Sequence, residues 1–352
     1  MAISATDPIT PAWGRMVQML FKPFNLSKWF TLGFCAFLAF LGEGGGANFN
    51  VPGGGGGGGS GPRPAPAPFP GPGRVPGPGP GPAPGSSGGG NESFDTFVQQ
   101  AKDFLASYGI VIALALLVVI ALVVVLMWVR ARGKFMFLEG VAYNRAAVVE
   151  PWKRLRPLAN AFFRFELILT VLAFLSLGLV LVAAFLLALP DIRAETFGGG
   201  ALTAIVAGGI LLLVWAIGFG LVQAIAEDFL IPLMYLRGTG VGPAWREFRT
   251  AIVPGNAGSL VVFYLMRIVL GMAGAMAMTL GTCLTCCIGG LPYVSSVLFL
   301  PVFVFNRSYS LYYLRQFGSQ YNLLVEIAQS PVGGFPVTMP PDQQPPPPEY
   351  PI

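Results

Sequence analysis

Charged side chains inside long apolar stretches are the residues of this sequence best placed to do chemistry, because a charge within a membrane is costly and usually functional. Arg267 lies in one such stretch and Glu227 in another. At about 1.5 Å per helical residue each lies roughly 13 to 16 Å deep from the same side, so we expect them to meet. Asp228 and Glu166 are alternative partners for the arginine. The pair would either hold helices together or line a polar binding site or ion path.

A second candidate set consists of polar residues that each precede a leucine by eight positions near the end of an apolar stretch: Arg130, Asp228 and Asn306. If the stretches are repeats of one unit, these side chains occupy equivalent positions around a pseudo-threefold centre. Three polar side chains at such a centre would form a cytoplasmic mouth.

Three cysteines lie close together at the outer end of a predicted span: Cys283, Cys286 and Cys287. The gap between the first two is typical of zinc and redox sites. A tetrahedral zinc site needs four ligands, however, and Cys35 belongs to another span. Either two of the three therefore form a disulfide in an oxidising compartment, or all three serve as small apolar packing residues. The sequence predicts no metal site.

The sequence contains no histidine. This excludes Ser-His-Asp and Cys-His catalytic systems, zinc-protease helices and bis-His haem sites, since each needs an imidazole. No phosphate-binding loop of the Gly-Lys-Ser/Thr type occurs. We therefore expect no catalytic residue, no cofactor and a non-enzymatic role. The formal net charge of +5 fits membrane topology better than nucleic-acid binding.

The composition indicates an integral membrane protein: of 352 residues, 54% are hydrophobic and 11% are charged. A soluble protein carries roughly 25% charged residues. Apolar stretches near the ~20 residues that cross a bilayer predict an all-α fold with six transmembrane helices. Four spans are clear (108–129, 166–189, 201–222 and 258–280) and two are weaker (26–41 and 284–305). The first could instead be a cleaved signal peptide.

The basic residues predict the orientation of these spans. Sixteen of the 21 Lys and Arg residues lie in the N-terminus, in 130–165, in 237–256 and in the C-terminal end, whereas four lie in the intervening loops. Under the positive-inside rule both termini are cytoplasmic.

A motif of Trp, basic, any, apolar, Arg occurs twice, at Trp152 to Arg156 and at Trp245 to Arg249, with an offset of 93 residues. A first copy begins at Trp13, displaced by the Gly/Pro-rich insertion. We interpret the chain as three tandem helical hairpins, each introduced by an interfacial helix anchored by its Trp and Arg. Aromatic and basic loop ends are, however, common in multi-span proteins. The second helix of each hairpin is longer than a bilayer needs, which predicts a cytoplasmic stalk, with a kink at Pro232.

The segment 229–249 (FLIPLMYLRGTGVGPAWREFR) is similar to segments of six-span bacterial membrane families of unknown function. It also resembles the membrane domain that accompanies some glycerophosphodiester phosphodiesterases. The resemblance covers the spans and neither low-complexity region. It implies an inner-membrane module and no activity. Together with the Gly/Pro/Ala-rich composition, the resemblance implies the cytoplasmic (inner) membrane of a bacterium as the expected location.

The predicted organisation has four parts: an interfacial helix with the first span (1–42), a disordered Gly/Pro-rich extracytoplasmic loop (43–107), a transmembrane bundle (108–318) and a Pro-rich cytoplasmic tail (319–352). Residues 42–90 hold 21 of the 47 Gly and 12 of the 32 Pro, so they bury too little apolar surface to offset ordering entropy. The loop is a spacer or a tether to envelope components. The tail ends in a Pro-Pro-any-Tyr sequence at 347–350, a ligand type for aromatic grooves.

Two functions are compatible with these features. The first is a scaffold or assembly partner in the cell envelope, whose Gly/Pro-rich loop and Pro-rich tail recruit envelope or cytoplasmic proteins. The alternative is a small-solute or lipid transporter with a polar site around Arg267 and Glu227 or Asp228. The expected partners are the lipid bilayer and such proteins. A membrane enzyme that uses acidic residues on a lipid headgroup is the third and weakest interpretation.

Overall fold

The computed structural model describes residues 3–41, 89–193, 198–285 and 291–325. All regular structure in these ranges is helical. The α-helices are α1 Ile9–Phe21, α2 Leu26–Ala39, α3 Gly89–Tyr143, α4 Val149–Arg154, α5 Arg156–Arg193, α6 Gly199–Ile225, α7 Ile231–Arg237, α8 Val241–Glu247, α9 Ala257–Leu284, α10 Pro292–Leu298 and α11 Leu300–Arg315. Two π-helical turns, Ala226–Leu230 and Phe248–Ile252, and a 3₁₀ turn, Ser319–Tyr321, complete the set. The all-α prediction is confirmed for this part of the chain.

Four helical segments are long and apolar enough to cross a membrane: Ala106–Tyr143, Arg156–Asp191, Leu202–Arg237 and Ala257–Leu284. They coincide with the four clear predicted spans. Large apolar side chains along them are exposed, and that of Ile110 is 88% exposed. An apolar surface of this extent on helices with internally paired backbones is suited to hydrocarbon. These features indicate a membrane protein.

The two weaker predicted spans form shorter helices, so six spans are not confirmed. Helix α2 has only 14 residues. The predicted span 284–305 is divided between α10 and α11, which meet at Phe299. Pro292 and Pro301 each lie in the first turn of their helix, and a proline there cannot continue a preceding helix because it lacks the N–H donor.

The predicted disordered loop at 43–107 ends earlier than expected. Helix α3 begins at Gly89, so residues 89–107 are helical. The sequence from 92 to 107 contains neither Gly nor Pro and includes Glu, Gln, Ala, Lys and Leu. Because these residue types favour a helix, the α3 span continues outward instead of ending at residue 108. The rest of the loop, from 43 to 88, lies outside the described residues.

The described residues belong to two compact units. The first draws on Met1–Pro52, Leu116–Ser176 and Ala216–Ile352. Its core is aromatic: the ring of Phe263 stacks on Tyr313 with centroids 4.2 Å apart and on Tyr309 at 5.3 Å. The second draws on Gly53–Ala115 and Leu177–Trp215. Its described residues are mostly exposed and apolar, in contrast to the buried core of the first unit.

Helix α2 contacts α3 at Gly133. A Cβ atom at this position would lie 2.4 Å from the backbone nitrogen of Ala39 and 2.4 Å from the carbonyl carbon of Leu38. A side chain cannot occupy that space without moving backbone. The contact is a small-residue crossing of the kind that lets apolar helices approach closely.

Three short helices each carry a tryptophan, and a charged residue follows it two positions later. In each case this charged residue contacts the end of a long helical segment. The tryptophans are Trp13, Trp152 and Trp245, in α1, α4 and α8, and the charged residues are Arg15, Arg154 and Glu247. Arg154 donates a 2.5 Å hydrogen bond to Glu139 near the end of α3. Arg237 at the end of α7 donates a 2.7 Å hydrogen bond to Glu247. Each of these two contacts links the end of one long helix to the start of the next segment.

Arg15 contacts backbone carbonyls instead of a carboxylate. Its guanidinium donates to the oxygens of Val141 and Ala142, at 2.7 to 3.2 Å, and to that of Val325 at 2.9 Å. The last carbonyls of a helix have no partner within it, and a cation there also interacts favourably with the helix dipole. Arg15 therefore caps α3 and connects it to the segment after α11, although burial lowers the pKa of this guanidinium.

The beginning of the predicted tail is ordered against the core. Tyr321, Leu323 and Leu324 are buried, and the amide of Val325 donates a 3.1 Å hydrogen bond to the carbonyl of Ala142. The remainder of the tail, from 326 to 352, lies outside the described residues.

Candidate functional site

A buried ion-pair group joins α3, α5 and the first π-helical turn. Lys134 Nζ lies 2.7 Å from Oε1 of Glu227 and 3.2 Å from Oε1 of Glu166. Arg130 also pairs with Glu166. Gln223 Nε2 donates to the same two carboxylates, at 3.0 Å to Glu227 and 3.3 Å to Glu166. Two cations and an amide thus share two carboxylates.

A second ion pair lies one residue further along the chain. Arg267 Nε in α9 is 2.9 Å from Oδ2 of Asp228. The Asp228 side chain is 1% exposed and that of Arg267 is 29% exposed. Arg307 of α11 donates a 2.7 Å hydrogen bond from Nη1 to the backbone carbonyl of Glu227. The site therefore draws on helices from α3 to α11.

A π-helical turn positions the two acidic residues. Residues 226–230 adopt π geometry, and α7 begins at Ile231 with Pro232 in its first turn. Pro232 cannot donate the backbone hydrogen bond that a continuous α-helix needs there, which gives the π turn a local cause. The kink at Pro232 stays a prediction. The π-helical turn before it directs the adjacent Glu227 and Asp228 to different cations.

The structure resolves the partners that the sequence left open. The expected meeting of Arg267 with Glu227 is not found. Arg267 pairs with Asp228, one of its alternative partners, while Glu227 pairs with Lys134. The three residues of the predicted mouth have separate partners: Arg130 pairs with Glu166, Asp228 with Arg267, and the Asn306 amide donates to the carbonyl of Val302 at 3.0 Å.

Three residues of the site were not selected from the sequence: Lys134, Gln223 and Arg307. Two of them had a local signal, because Lys134 follows Arg130 by four positions and Gln223 precedes Glu227 by four, and such residues share a helix face. No local pattern in the sequence indicates Arg307 as a site residue, because it follows a predicted span, where a basic residue is expected to be cytoplasmic.

Several polar atoms around the second ion pair have no hydrogen-bond partner among the described residues. These buried atoms include Nη1 of Arg267, Nε and Nη2 of Arg307, the hydroxyl of Tyr264 and Oδ1 of Asp228. A buried donor without a partner loses its hydration without compensation. Buried polar groups are normally hydrogen-bonded in native proteins. A bound ligand that accepts hydrogen bonds from these donors would explain why they have no partner within the described part of the protein.

The predicted interfacial anchors differ in exposure. Trp13 is 59% exposed, whereas Trp152 is half-buried and its ring lies 4.7 Å from the guanidinium of Arg132, which also covers Trp128 at 4.0 Å. Trp245, also half-buried, lies 6.0 Å from the ring of Phe248. The side chains of Arg156 and Arg249 are exposed.

The cysteine prediction falls mostly outside the described residues. Cys283 is an exposed free thiol and Cys35 a buried one. Cys286 and Cys287 belong to the stretch 286–290, which is not described. Among the residues that are described, no group of three His, Cys, Asp or Glu side chains is arranged to hold a metal ion.

Comparison with known proteins identifies a family. A model of a family of unknown function, DUF7544, matches residues 3–300. The chain belongs to this family. No curated protein and no solved structure matches it.

The DUF7544 match agrees with the predicted resemblance to families of unknown function, whereas a link to the membrane domain of glycerophosphodiester phosphodiesterases is not shown. The matched range includes Lys134, Glu227, Asp228 and Arg267, and Arg307 lies beyond it.

Proposed function

We propose that the protein is an integral protein of the bacterial cytoplasmic membrane, with three helical hairpins and both termini in the cytoplasm. Four long apolar helices and the segregation of the basic residues support this topology. The contacts of Arg154 with Glu139 and of Glu247 with Arg237 support the hairpin repeat, since each connects consecutive hairpins.

Within that topology, we propose that the polar site binds a small polar solute or a lipid headgroup and serves in its transport, without covalent catalysis. The observation that carries this proposal is the pair of the buried Asp228 with the half-buried Arg267, beside buried donors that have no partner among the described residues. Charges at this depth are costly to desolvate and mark solute paths in many membrane proteins.

A ligand screen tests this proposal. Thermal unfolding of the purified full chain in detergent is measured against a panel of organic anions, polar solutes and lipids, and the ligand that raises the unfolding temperature is then followed into proteoliposomes. We expect Arg267→Ala to abolish the ligand-induced shift while the helical circular dichroism is retained. Arg249→Ala removes an exposed arginine and is the matched control.

Two outcomes would contradict the binding role. One is that Arg267→Ala lowers the unfolding temperature but leaves the ligand-induced shift unchanged, which assigns the pair to stability alone. The other is that the ligand binds at a different place and its flux is the same in the Arg267→Ala and Arg249→Ala variants.

A scaffold role is our second proposal, supported by composition: residues 42–90 hold 21 of the 47 Gly, and a Pro-rich tail follows Ser330. Its test is crosslinking in native membranes, comparing the full chain with a variant lacking 43–88 and 330–352. Specific neighbours that disappear on deletion support the scaffold, and an unchanged set of neighbours contradicts it.

A further inference from the structure

The buried polar site is rich in cationic side chains. Arg130, Lys134, Arg267 and Arg307 lie among the carboxylates of Glu166, Glu227 and Asp228. In a region of low dielectric, a charged donor that has no partner is expensive. The question is therefore which of these cations keep donors without a partner.

The Arg267 end of the site has two guanidinium groups beside one carboxylate. Glu166 and Glu227 are each paired with Lys134, and Arg130 also pairs with Glu166. Asp228 is the remaining carboxylate of the cluster, and it interacts electrostatically with both Arg267 and Arg307. Two guanidinium groups thus share one carboxylate.

The unpaired donors belong to these same groups. Arg267 Nη1 and the Nε and Nη2 atoms of Arg307 are buried and have no hydrogen-bond partner within the described part of the chain. The buried Tyr264 hydroxyl also lacks a partner there, and Tyr264 stands three residues before Arg267 on α9, on the same helix face. Tyr264 interacts electrostatically with Asp228 and Arg267, which form an ion pair, and Arg307 donates to the backbone of the adjacent Glu227.

We propose that Arg267, Arg307 and Tyr264 bind the phosphate group of an anionic ligand, which names the substrate class of the proposed function and rests on it. A carboxylate offers two oxygens, whereas a phosphate offers more oxygens and is matched by the planar donor forks of arginine. Oδ1 of Asp228, an acceptor without a partner among the described residues, fits a protonated phosphate oxygen or a hydroxyl on the ligand.

The phosphate could belong to a lipid headgroup or to a water-soluble phosphate ester, because the chemistry of recognition is the same. The test measures two arms on the purified full chain: native mass spectrometry with phosphatidylglycerol and phosphatidic acid, and calorimetric titration with inorganic phosphate and glycerol phosphate. Saturable binding in the first arm alone identifies a headgroup, and binding in the second identifies a soluble ligand. Absence of binding in both arms overturns the proposal.

Matched variants test the residues. Arg307→Gln removes one positive charge from the site, and Arg315→Gln removes the same charge from an exposed position on the same helix. We expect Arg307→Gln to weaken binding about tenfold or more, because a hydrogen bond to a charged group is among the stronger ones. The Arg315→Gln variant should bind as the wild type does. Equal affinities of these two variants would overturn the assignment.

Tyr264→Phe provides a second, milder variant in case Arg307→Gln fails to fold, since Arg307 also donates to the backbone of Glu227. Loss of one neutral hydroxyl donor should weaken binding roughly two- to tenfold. If the Tyr264→Phe protein binds phosphate as the wild type does, the Tyr264 hydroxyl has no role in binding. If the Arg307→Gln protein also fails to fold, the same result contradicts the whole phosphate site.

The outcomes separate this inference from the proposed function. If the protein binds no phosphate but binds another solute in an Arg267-dependent way, the proposed function is supported and the phosphate assignment is wrong. A chain that binds phosphate through Arg307 but shows no flux in proteoliposomes retains the site and loses transport.

Discussion

Arg154 donates a 2.5 Å hydrogen bond to Glu139, and this contact has a counterpart of opposite charge in the next hairpin. Glu247 lies 93 positions after Arg154, at the equivalent position of the repeat, and it accepts a hydrogen bond from Arg237. The acid and the base have exchanged places between the two contacts. Both contacts are therefore ion pairs, but the base lies on the short helix in the first and the acid lies on the short helix in the second. The Glu139 carboxylate raises the pKa of Arg154 against the lowering caused by burial, so the arginine stays charged.

This relationship predicts that the Arg154 contact tolerates reversal. Arg154→Glu should lower the free energy of unfolding by about 1.5 to 3 kcal/mol, because Glu139 loses its cation and gains a like charge. The double variant Arg154→Glu/Glu139→Arg should recover most of that loss. Denaturant unfolding of the purified protein in detergent measures both.

The control for this cycle is Arg145→Glu, because Arg145 and its partner Glu150 have side chains that are 56% and 53% exposed. An exposed pair contributes less than about 1 kcal/mol. If the loss of unfolding free energy in the double variant equals the sum of the losses in Arg154→Glu and Glu139→Arg, the two charges do not interact.

Removal of the Asp228 carboxylate should be among the most damaging changes in the site. Asp228→Ala leaves Arg267 without its 2.9 Å partner, and breaking a buried pair from one side costs about 3 to 5 kcal/mol. The double variant Asp228→Leu/Arg267→Leu should lose less, since neither member of the pair remains charged. Thermal unfolding with Asp103→Ala, at an exposed position, as control measures these effects. A double variant less stable than Asp228→Ala would refute this account of the pair.

The contact of α2 with α3 predicts a strong steric effect at Gly133. Gly133→Ala introduces a Cβ that would lie 2.4 Å from the backbone of Ala39, and the overpacking should cost about 1 to 3 kcal/mol. Gly14→Ala meets no atom within 4 Å and should be neutral or stabilising. Chemical unfolding of both variants makes the comparison. Equal stability of the two would mean that α2 and α3 do not approach so closely.

The contact of Glu247 with Arg237 predicts a pH dependence. The hydrogen bond from Arg237 lowers the pKa of the Glu247 carboxyl below its usual 4.5. A lowered folded-state pKa contributes stability that is present above the ordinary carboxyl pKa and is lost as the pH falls through the folded-state pKa. Wild type should therefore exceed Glu247→Gln in stability at about pH 6 to 7, by less than about 1 kcal/mol for a pair near the surface.

The measurement is the unfolding temperature of both proteins between about pH 3 and 7. The two curves should converge at the acid end, where Glu247 is protonated in wild type. A constant difference across the range would exclude ionisation of Glu247 as its source.

The long apolar helices and several members of the polar site could be predicted from the sequence. The four clear spans lie within helices because apolar composition over about 20 residues is a local property. The prediction of where the loop before α3 ends was wrong, and the two shorter spans are not confirmed. Helix α3 begins at Gly89 because helix-forming residues extend it, and prolines divide the span predicted at 284–305 into two helices.

Among the site residues, Arg267 and Asp228 were both candidates, but their pairing was one of several alternatives. Depth along a helix limits which residues can meet and does not specify the direction in which each side chain projects. The π-helical turn at 226–230, which sends Glu227 towards Lys134 and Asp228 towards Arg267, had no sequence signal beyond Pro232.

The amino-acid sequence by itself determined that this protein is helical, apolar along its spans and basic in alternate segments, because composition and charge are distributed locally along the chain. The tertiary structure alone decided contacts between distant residues. Arg15 caps α3 at Val141, 126 positions away, and Arg307 reaches the backbone of Glu227, 80 positions away. Such contacts depend on how helices pack in three dimensions, and no short pattern in the sequence encodes that packing.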